Sequence, residues 1–469
     1  MRKNLFALVL TISLLVPYAV LAQTVKVTPA ERRIAETIKA DRLSNWLHFV
    51  ASDAMGGRDT PSQGLDITAE FLKMKLSRWG LKPAGDNGTF FQNMNIISDV
   101  IVPDENTLRV GETEYFLGNH FVRLNGQGTF NSPMVFAHHG WMHRAKNIDA
   151  YNGIDVRDKV VVLYDSGFPN QNLSRRPEGL SDADITGTRG TDWADPITYA
   201  TQKGAKGIIM VGSPQVEERW AQIRGFAPRG STYVDGLRET PASPVIPILL
   251  VNRSVGDAIF QGSAGNKDSS SAFAIDRQVT GTIKSGKLSR RTQNVVALWE
   301  GSDPVLKNEM VAVGAHYDHV GTNPNAPGDD KIYNGADDDG SGTVALLAMA
   351  EALAVSKTRP KRSILFVWHA GEEKGLWGAE YFNKFPTVNI KNVIAQLNID
   401  MIGRSRPPGD ADPRNAELSG PNEVYVIGSE MMSSTLGAVT RSTNSSFLNL
   451  DYNLKYDDPN DKNRFFFRS

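Results

Sequence analysis

Apolar residues recur at three- and four-residue intervals from Pro29 to Trp79: Ile34, Ile38, Leu43, Leu47 and Val50, then Ile67, Phe71, Leu72 and Leu76. That spacing lines one face of a helix, so two helices are predicted here. Between them Met55-Gly56-Gly57-Arg58-Asp59-Thr60-Pro61 is a Gly/Pro break, a loop that is either structural or faces a pocket. From about Val100 to Ser285 the pattern shortens to β-rich runs such as Val160 to Leu163, Gly207 to Val211 and Val245 to Val251, with a short helix from Pro196 to Lys203. The run Lys267-Asp268-Ser269-Ser270-Ser271 reads as an exposed loop near the end of this β-rich module. After Thr292 apolar strands alternate with helices: strands Asn294 to Trp299, Met310 to Ala315, Ser363 to Trp368 and Val393 to Asn398, helices Gly342 to Val355 and Leu376 to Phe382. Alternation of this kind predicts an α/β layered sheet, and ligands of such sheets collect beyond the carboxyl ends of the strands.

Composition excludes several functions. Lys+Arg number 51 against Asp+Glu 52, so no basic field exists to hold nucleic acid or an anionic membrane. Arg2 and Lys3 precede an apolar run from Leu5 to Val16, and small residues at Val20-Leu21-Ala22 precede Gln23, the pattern of a secretory signal peptide over residues 1–22. The expectation is export to the periplasm or the medium, without stable membrane insertion after cleavage. Cysteine is absent, which removes disulfides and thiolate ligands, so any metal must sit on His, Asp and Glu.

Chemistry gathers at four strand ends. His316-Tyr317-Asp318-His319 follows the first strand, where a ring nitrogen can face a metal while Asp318 orients the ring, or the histidine can simply be hydrogen-bonded in a loop. Asn334-Gly335-Ala336-Asp337-Asp338-Asp339-Gly340-Ser341-Gly342 places three carboxylates before a helix; capping by Asp339 or Ser341 explains one or two of them, a cation explains all three. His369-Ala370-Gly371-Glu372-Glu373 puts two adjacent carboxylates where extended backbone would aim them apart, one toward metal and one toward water. Asp400 ends the last segment among apolar neighbours, and a partly buried aspartate needs a partner. A sulfur-free set suits zinc ahead of manganese or cobalt, and no His-Glu-x-x-His helix points to a one-metal protease.

In order and spacing these segments resemble the M28 metallopeptidases, the family of bacterial and vacuolar aminopeptidases. The resemblance covers Asn294 to about Arg404 and the stretch from Ala51 to Gly64. It implies a three-layer α/β/α sheet of the zinc-dependent exopeptidase type carrying an inserted β-rich module like a protease-associated domain. The implied division is 23–105 and 286–469 for the peptidase and 106–285 for the insert. It implies that His316 and Asp400 bind one zinc, that Glu373 binds a second, that Asp337 bridges both with a cis peptide to Asp338, that Asp318 orients His316, and that Glu372 is the general base. The implied activity is removal of N-terminal residues from peptide substrates by a water held between two zinc ions. A carboxypeptidase, a glutaminyl cyclase and a catalytically inactive binding homologue remain open alternatives, and the oligomeric state is not legible. One departure stands out: the family draws a last histidine ligand from a segment like Arg-Ser-Asp-His, whereas here no histidine follows His369 and the chain stops at Arg468-Ser469, so the ligand is expected just beyond Ser469 and zinc at Glu373 is expected to be held poorly.

Overall fold

The computed structural model describes residues 26–165, 176–226, 229–237, 245–263, 271–356 and 359–460. Residues 1–22, where a leader is expected, most of the run at 267–271 and residues 461–469 lie outside the described residues. The chain divides into two compact units, Met1–Met94 with Arg291–Ser469, and Asn95–Arg290. The ends of the second unit fall inside two long strands, Phe91–Val100 and Gly286–Trp299. The insert expected at 106–285 falls within this second unit.

In the first unit the sheet runs Gly286–Trp299, Ser363–His369, Met310–His316, Val393–Asn398. The last three strands are parallel, and the first is antiparallel to its neighbour. Register aligns His316 with His369 on adjacent strands. Side chains alternate across the sheet. On one face Leu365 and Val367 pack with Val296, Met310, Ala312 and Phe382 of helix Trp377–Lys384. On the other, the Trp368 indole N–H donates to the Thr343 carbonyl of helix Gly340–Val355 (3.1 Å). Helices therefore cover both faces, giving the α/β/α layering. Helix Gly340–Val355 is apolar nearly all round, as a helix enclosed on most sides must be. Leu346 and Leu347 are fully buried there, each worth about 1.5–3 kcal/mol.

Three helices precede the sheet rather than two, Pro29–Ala35, Ala40–Val50 and Gln63–Arg78, and the Gly/Pro break holds a short 3-10 segment, Asp53–Arg58.

The second unit is built on one eight-stranded sheet with parallel strands Val160–Tyr164, Gly207–Val211 and Ile248–Val251 at its heart. Separate apolar clusters cover its two faces, one around Phe136, Val162 and Leu249, the other around Val161, Ile208 and Tyr199. Among the described residues of the chain no helix is long and apolar enough to cross a membrane.

Candidate metal centre

Strand Met310–His316 delivers His316 to the carboxyl edge of the first unit's sheet, 3% exposed. Its Nδ1 lies 3.2 Å from the Asp318 backbone oxygen and 3.5 Å from Asp318 Oδ1. The other nitrogen, Nε2, faces three carboxylates: Asp338 Oδ1 at 3.2 Å, Asp400 Oδ1 at 3.7 Å and Glu372 Oε2 at 4.0 Å. Three residues on, His319 Nδ1 lies 2.6 Å from Glu373 Oε1 and 3.8 Å from Asp338 Oδ2. Two groups thus have ligand spacing, His316 with Asp338 and Asp400, and His319 with Asp338 and Glu373. Asp338 belongs to both, one oxygen turned to each.

The three consecutive aspartates separate completely. Asp337 Oδ1 accepts the amide of Gly403 (2.8 Å), and its other oxygen lies 3.6 Å from Arg404 Nε. Asp339 caps helix Gly340–Val355 by accepting the Gly342 amide (2.8 Å). A Cβ at position 342 would collide with that carboxylate and would lie 2.7 Å from the Ile399 carbonyl, so the cap requires glycine there. Asp337, expected at the bridging position, thus belongs to neither group while Asp338 faces both, and the cis peptide is Asp338–Asp339 rather than Asp337–Asp338. The reason is local: the loop through Gly403 draws Asp337 away, which leaves the middle carboxylate to face the histidines.

One further expectation changes. Glu372 and Glu373 lie in a turn, with the Gly375 amide bonded to the Glu372 carbonyl (2.8 Å), instead of extended backbone. Their carboxylates still part, Glu372 toward His316 and Glu373 toward His319. Asp400 follows strand Val393–Asn398 and, as expected, is partly buried, its side chain 34% exposed. Asp318 is fully buried and accepts the Glu372 amide (3.1 Å), which ties the Glu372–Glu373 turn to the His316 loop. His319 was present in the first tetrad, but its role depends on Glu373 across the sheet edge; the one sequence cue is the His-x-x-His spacing. His319 thus stands beside Glu373 within the described residues.

Electrostatics mark the same place. Burial alone would push the His316 ring toward neutrality, but attraction to the surrounding Asp318, Asp338 and Asp400 carboxylates reverses this and raises its pKa far above the usual value. Asp338 is pushed up by burial and pulled down by His316, His319 and Arg58 together, for a net lowering. Burial raises Glu372 to about 7. His369, in register beside His316, is buried and lowered to about 4 by that burial.

A metal fits these residues. His316 Nε2, His319 Nδ1 and Glu373 Oε1 are buried and, apart from the ion-pair contacts given above, make no hydrogen bond. Buried polar atoms without partners cost free energy, and a divalent cation between nitrogen and carboxylate oxygen satisfies them together.

Residues 294–455 match the family model described as Peptidase family M28. A probable zinc metalloprotease of Phaeosphaeria nodorum is 36% identical over 137 residues, 27% of this chain and 27% of that protein. Aminopeptidase Y of Saccharomyces cerevisiae is 33% identical over 155 residues, 33% of this chain and 25% of that protein. The chain thus spans about a quarter of the length of these curated relatives. Among solved structures, an aminopeptidase from Aneurinibacillus sp. strain AM-1 is similar at a TM-score of 0.43 and 17% identity, covering 85% of this chain and 76% of that one.

Proposed function

Residues 294–455 form a Peptidase family M28 domain, and from that premise we propose that the chain is a zinc-dependent aminopeptidase that removes N-terminal residues from peptides. The observation that carries the reading is Asp338, whose two oxygens face two histidine–carboxylate groups. His316, Asp338 and Asp400 would hold one zinc; His319, Asp338 and Glu373 would hold a second. Zinc bound there supplies Lewis acidity, lowering the pKa of water and polarising a peptide carbonyl. The remaining work belongs to side chains. Glu372 is the general base: its carboxylate, turned toward His316 at 4.0 Å, takes a proton from the attacking water and returns it to the leaving amine. Asp318 fixes that turn through the Glu372 amide.

The choice of substrate end rests on charge. A carboxypeptidase needs a cation for the terminal carboxylate. Beside the site, Lys374 Nζ faces Asp59 at 2.6 Å and Arg404 faces Asp337 at 3.6 Å, so both cations already have carboxylate partners. A surplus of carboxylates suits a free α-ammonium instead. The Asn95–Arg290 unit is read as the protease-associated insert, and export as the destination.

The test is a panel of peptides with free or acetylated N-termini and free or amidated C-termini, assayed with and without chelator. Hydrolysis confined to free N-termini, abolished by chelator and restored by zinc, supports the reading. Cleavage of blocked N-termini with free carboxylates would overturn it in favour of a carboxypeptidase, and cyclisation of N-terminal glutamine in favour of a cyclase.

A further inference from the structure

The Gly/Pro break before the second long helix left one residue unexplained by sequence, Arg58. It is fully buried. Its Nε donates to the Tyr317 carbonyl (2.9 Å), one terminal nitrogen donates to the carbonyls of Val50 (2.5 Å) and Asn334 (2.8 Å), and the other to that of Gly335 (2.8 Å). Its own carbonyl accepts the His319 amide (3.2 Å). Tyr317 lies between His316 and Asp318, and Asn334-Gly335 leads into Asp338. One side chain therefore grips, from inside, both loops that present histidines and the shared aspartate.

The chemistry of that grip is specific. A guanidinium offers five donors in a planar fork, and four bonds here reach carbonyls on three segments. A lysine has three donors on a round head and cannot reproduce them. Burial lowers the Arg58 pKa to about 10, opposed by the charges of Asp318, Asp339 and Asp338. The backbone is also unusual. Gly56, Gly57 and Arg58 have φ of 55°, 71° and 49°, and a Cβ at Gly57 would lie 2.5 Å from the Gly321 carbonyl. A non-glycine residue keeps a left-handed conformation where its surroundings over-determine it, and such positions concentrate at functional sites.

We infer that Arg58 is a positioning residue that preforms the metal centre, holding the His316–His319 and Asn334–Asp338 loops at fixed separation before any ion arrives while its charge offsets the surrounding aspartates. It touches neither substrate nor reacting atoms. The inference rests on the metal reading above, and its test separates the two.

Hydrogen exchange is followed by mass spectrometry on the full chain, metal-free and zinc-loaded. In the wild type the amides of Tyr317, His319 and Gly340, bonded to the carbonyls of His369, Arg58 and Gly335, are expected to exchange within about tenfold of each other in the two states. Exchange more than about 100-fold faster without zinc means that the ion, not Arg58, assembles the loops, and overturns the inference. Arg58→Lys is then compared with the wild type by competition against a chromophoric chelator, at a temperature where its circular dichroism matches. Zinc affinity is expected to fall about 10- to 100-fold. Unchanged affinity overturns the inference however far the melting temperature drops, because a purely structural role predicts that pattern. Should the variant not fold, the wild-type exchange comparison decides alone. A wild type that binds no zinc sinks the metal reading instead; the metal-free Arg58→Lys chain must still exchange Tyr317 and His319 at least about tenfold faster, or the positioning role falls too.

Discussion

Both units place polar residues where parallel strands end, yet among the described residues only the first unit gathers them into groups with ligand spacing. In the second unit, strand Val160–Tyr164 leads into Asp165, Gly207–Val211 toward Ser213, and Ile248–Val251 into Asn252. These groups satisfy one another locally: Asp165 Oδ2 accepts from the Ser213 hydroxyl (2.9 Å), and Asn252 Oδ1 caps the helix at Val255 while its amide reaches the Asn119 carbonyl (3.2 Å). In the first unit, the residues after Met310–His316, Ser363–His369 and Val393–Asn398 converge instead, and several of their buried atoms make no hydrogen bond. Polarity at a strand end is ordinary in an α/β sheet. What distinguishes a site is polarity that the protein alone leaves unsatisfied.

The largest effects should follow from breaking the convergence. Asp338→Asn keeps the shape but removes the charge shared by both groups, so kcat/KM should fall by about 10³-fold or more, with metal content dropping below one ion per chain by elemental analysis. Asp337→Asn should cost less than about tenfold, since an amide oxygen can still accept the Gly403 N–H. Equal losses from the two variants would return the bridge to Asp337. Glu372→Gln comes next: turnover should fall about 10²- to 10³-fold with zinc content unchanged. Loss of zinc in that variant would make Glu372 a ligand rather than the base.

How much of this was legible follows the same division. Strands and helices of the first unit were readable because their apolar periodicity is strong, and His316, Glu372, Glu373 and Asp400 because each is a polar residue directly after such a run. Which of Asp337, Asp338 and Asp339 faces the histidines was not readable, since it depends on distant amides, Gly403 claiming the first and the helix start claiming the third. The cap alone had a local cue, Asp339 standing three residues before Gly342. His319 and Arg58 escaped for a like reason: one needs Glu373, the other four carbonyls spread from Val50 to Gly335, and no local pattern encodes either meeting.

The pH dependence of the metal-free protein sharpens the comparison further. His369 is buried and lowered from about 6.5 in the unfolded chain to about 4. The unfolded chain therefore binds a proton that the folded ring refuses. Stability from this group is complete above about 6.5 and is lost as pH falls toward 4, at roughly 1.4 kcal/mol per pH unit. Glu372 runs the other way: its carboxyl is raised to about 7 by burial, so its contribution is complete below the unfolded value and is lost as pH rises toward 7. Thermal melts in chelator from pH 4 to 7.5 should show His369→Gln losing the acid-side slope and Glu372→Gln losing the opposite one. An unchanged acid-side slope in His369→Gln would mean that the ring is not held neutral.

The smallest effect belongs to the unit whose strand ends are satisfied. Asn252→Ala removes a helix cap, for which the usual loss is about 1 kcal/mol, read as a shift of the denaturation midpoint at constant slope. Hydrolysis per folded molecule should not change, because Asn252 bonds only within its own unit, to Val255, Ser254 and Asn119. A fall in turnover without a fall in stability would show that the strand ends of the second unit act on substrate after all, and the contrast between the two sheets would then be one of degree.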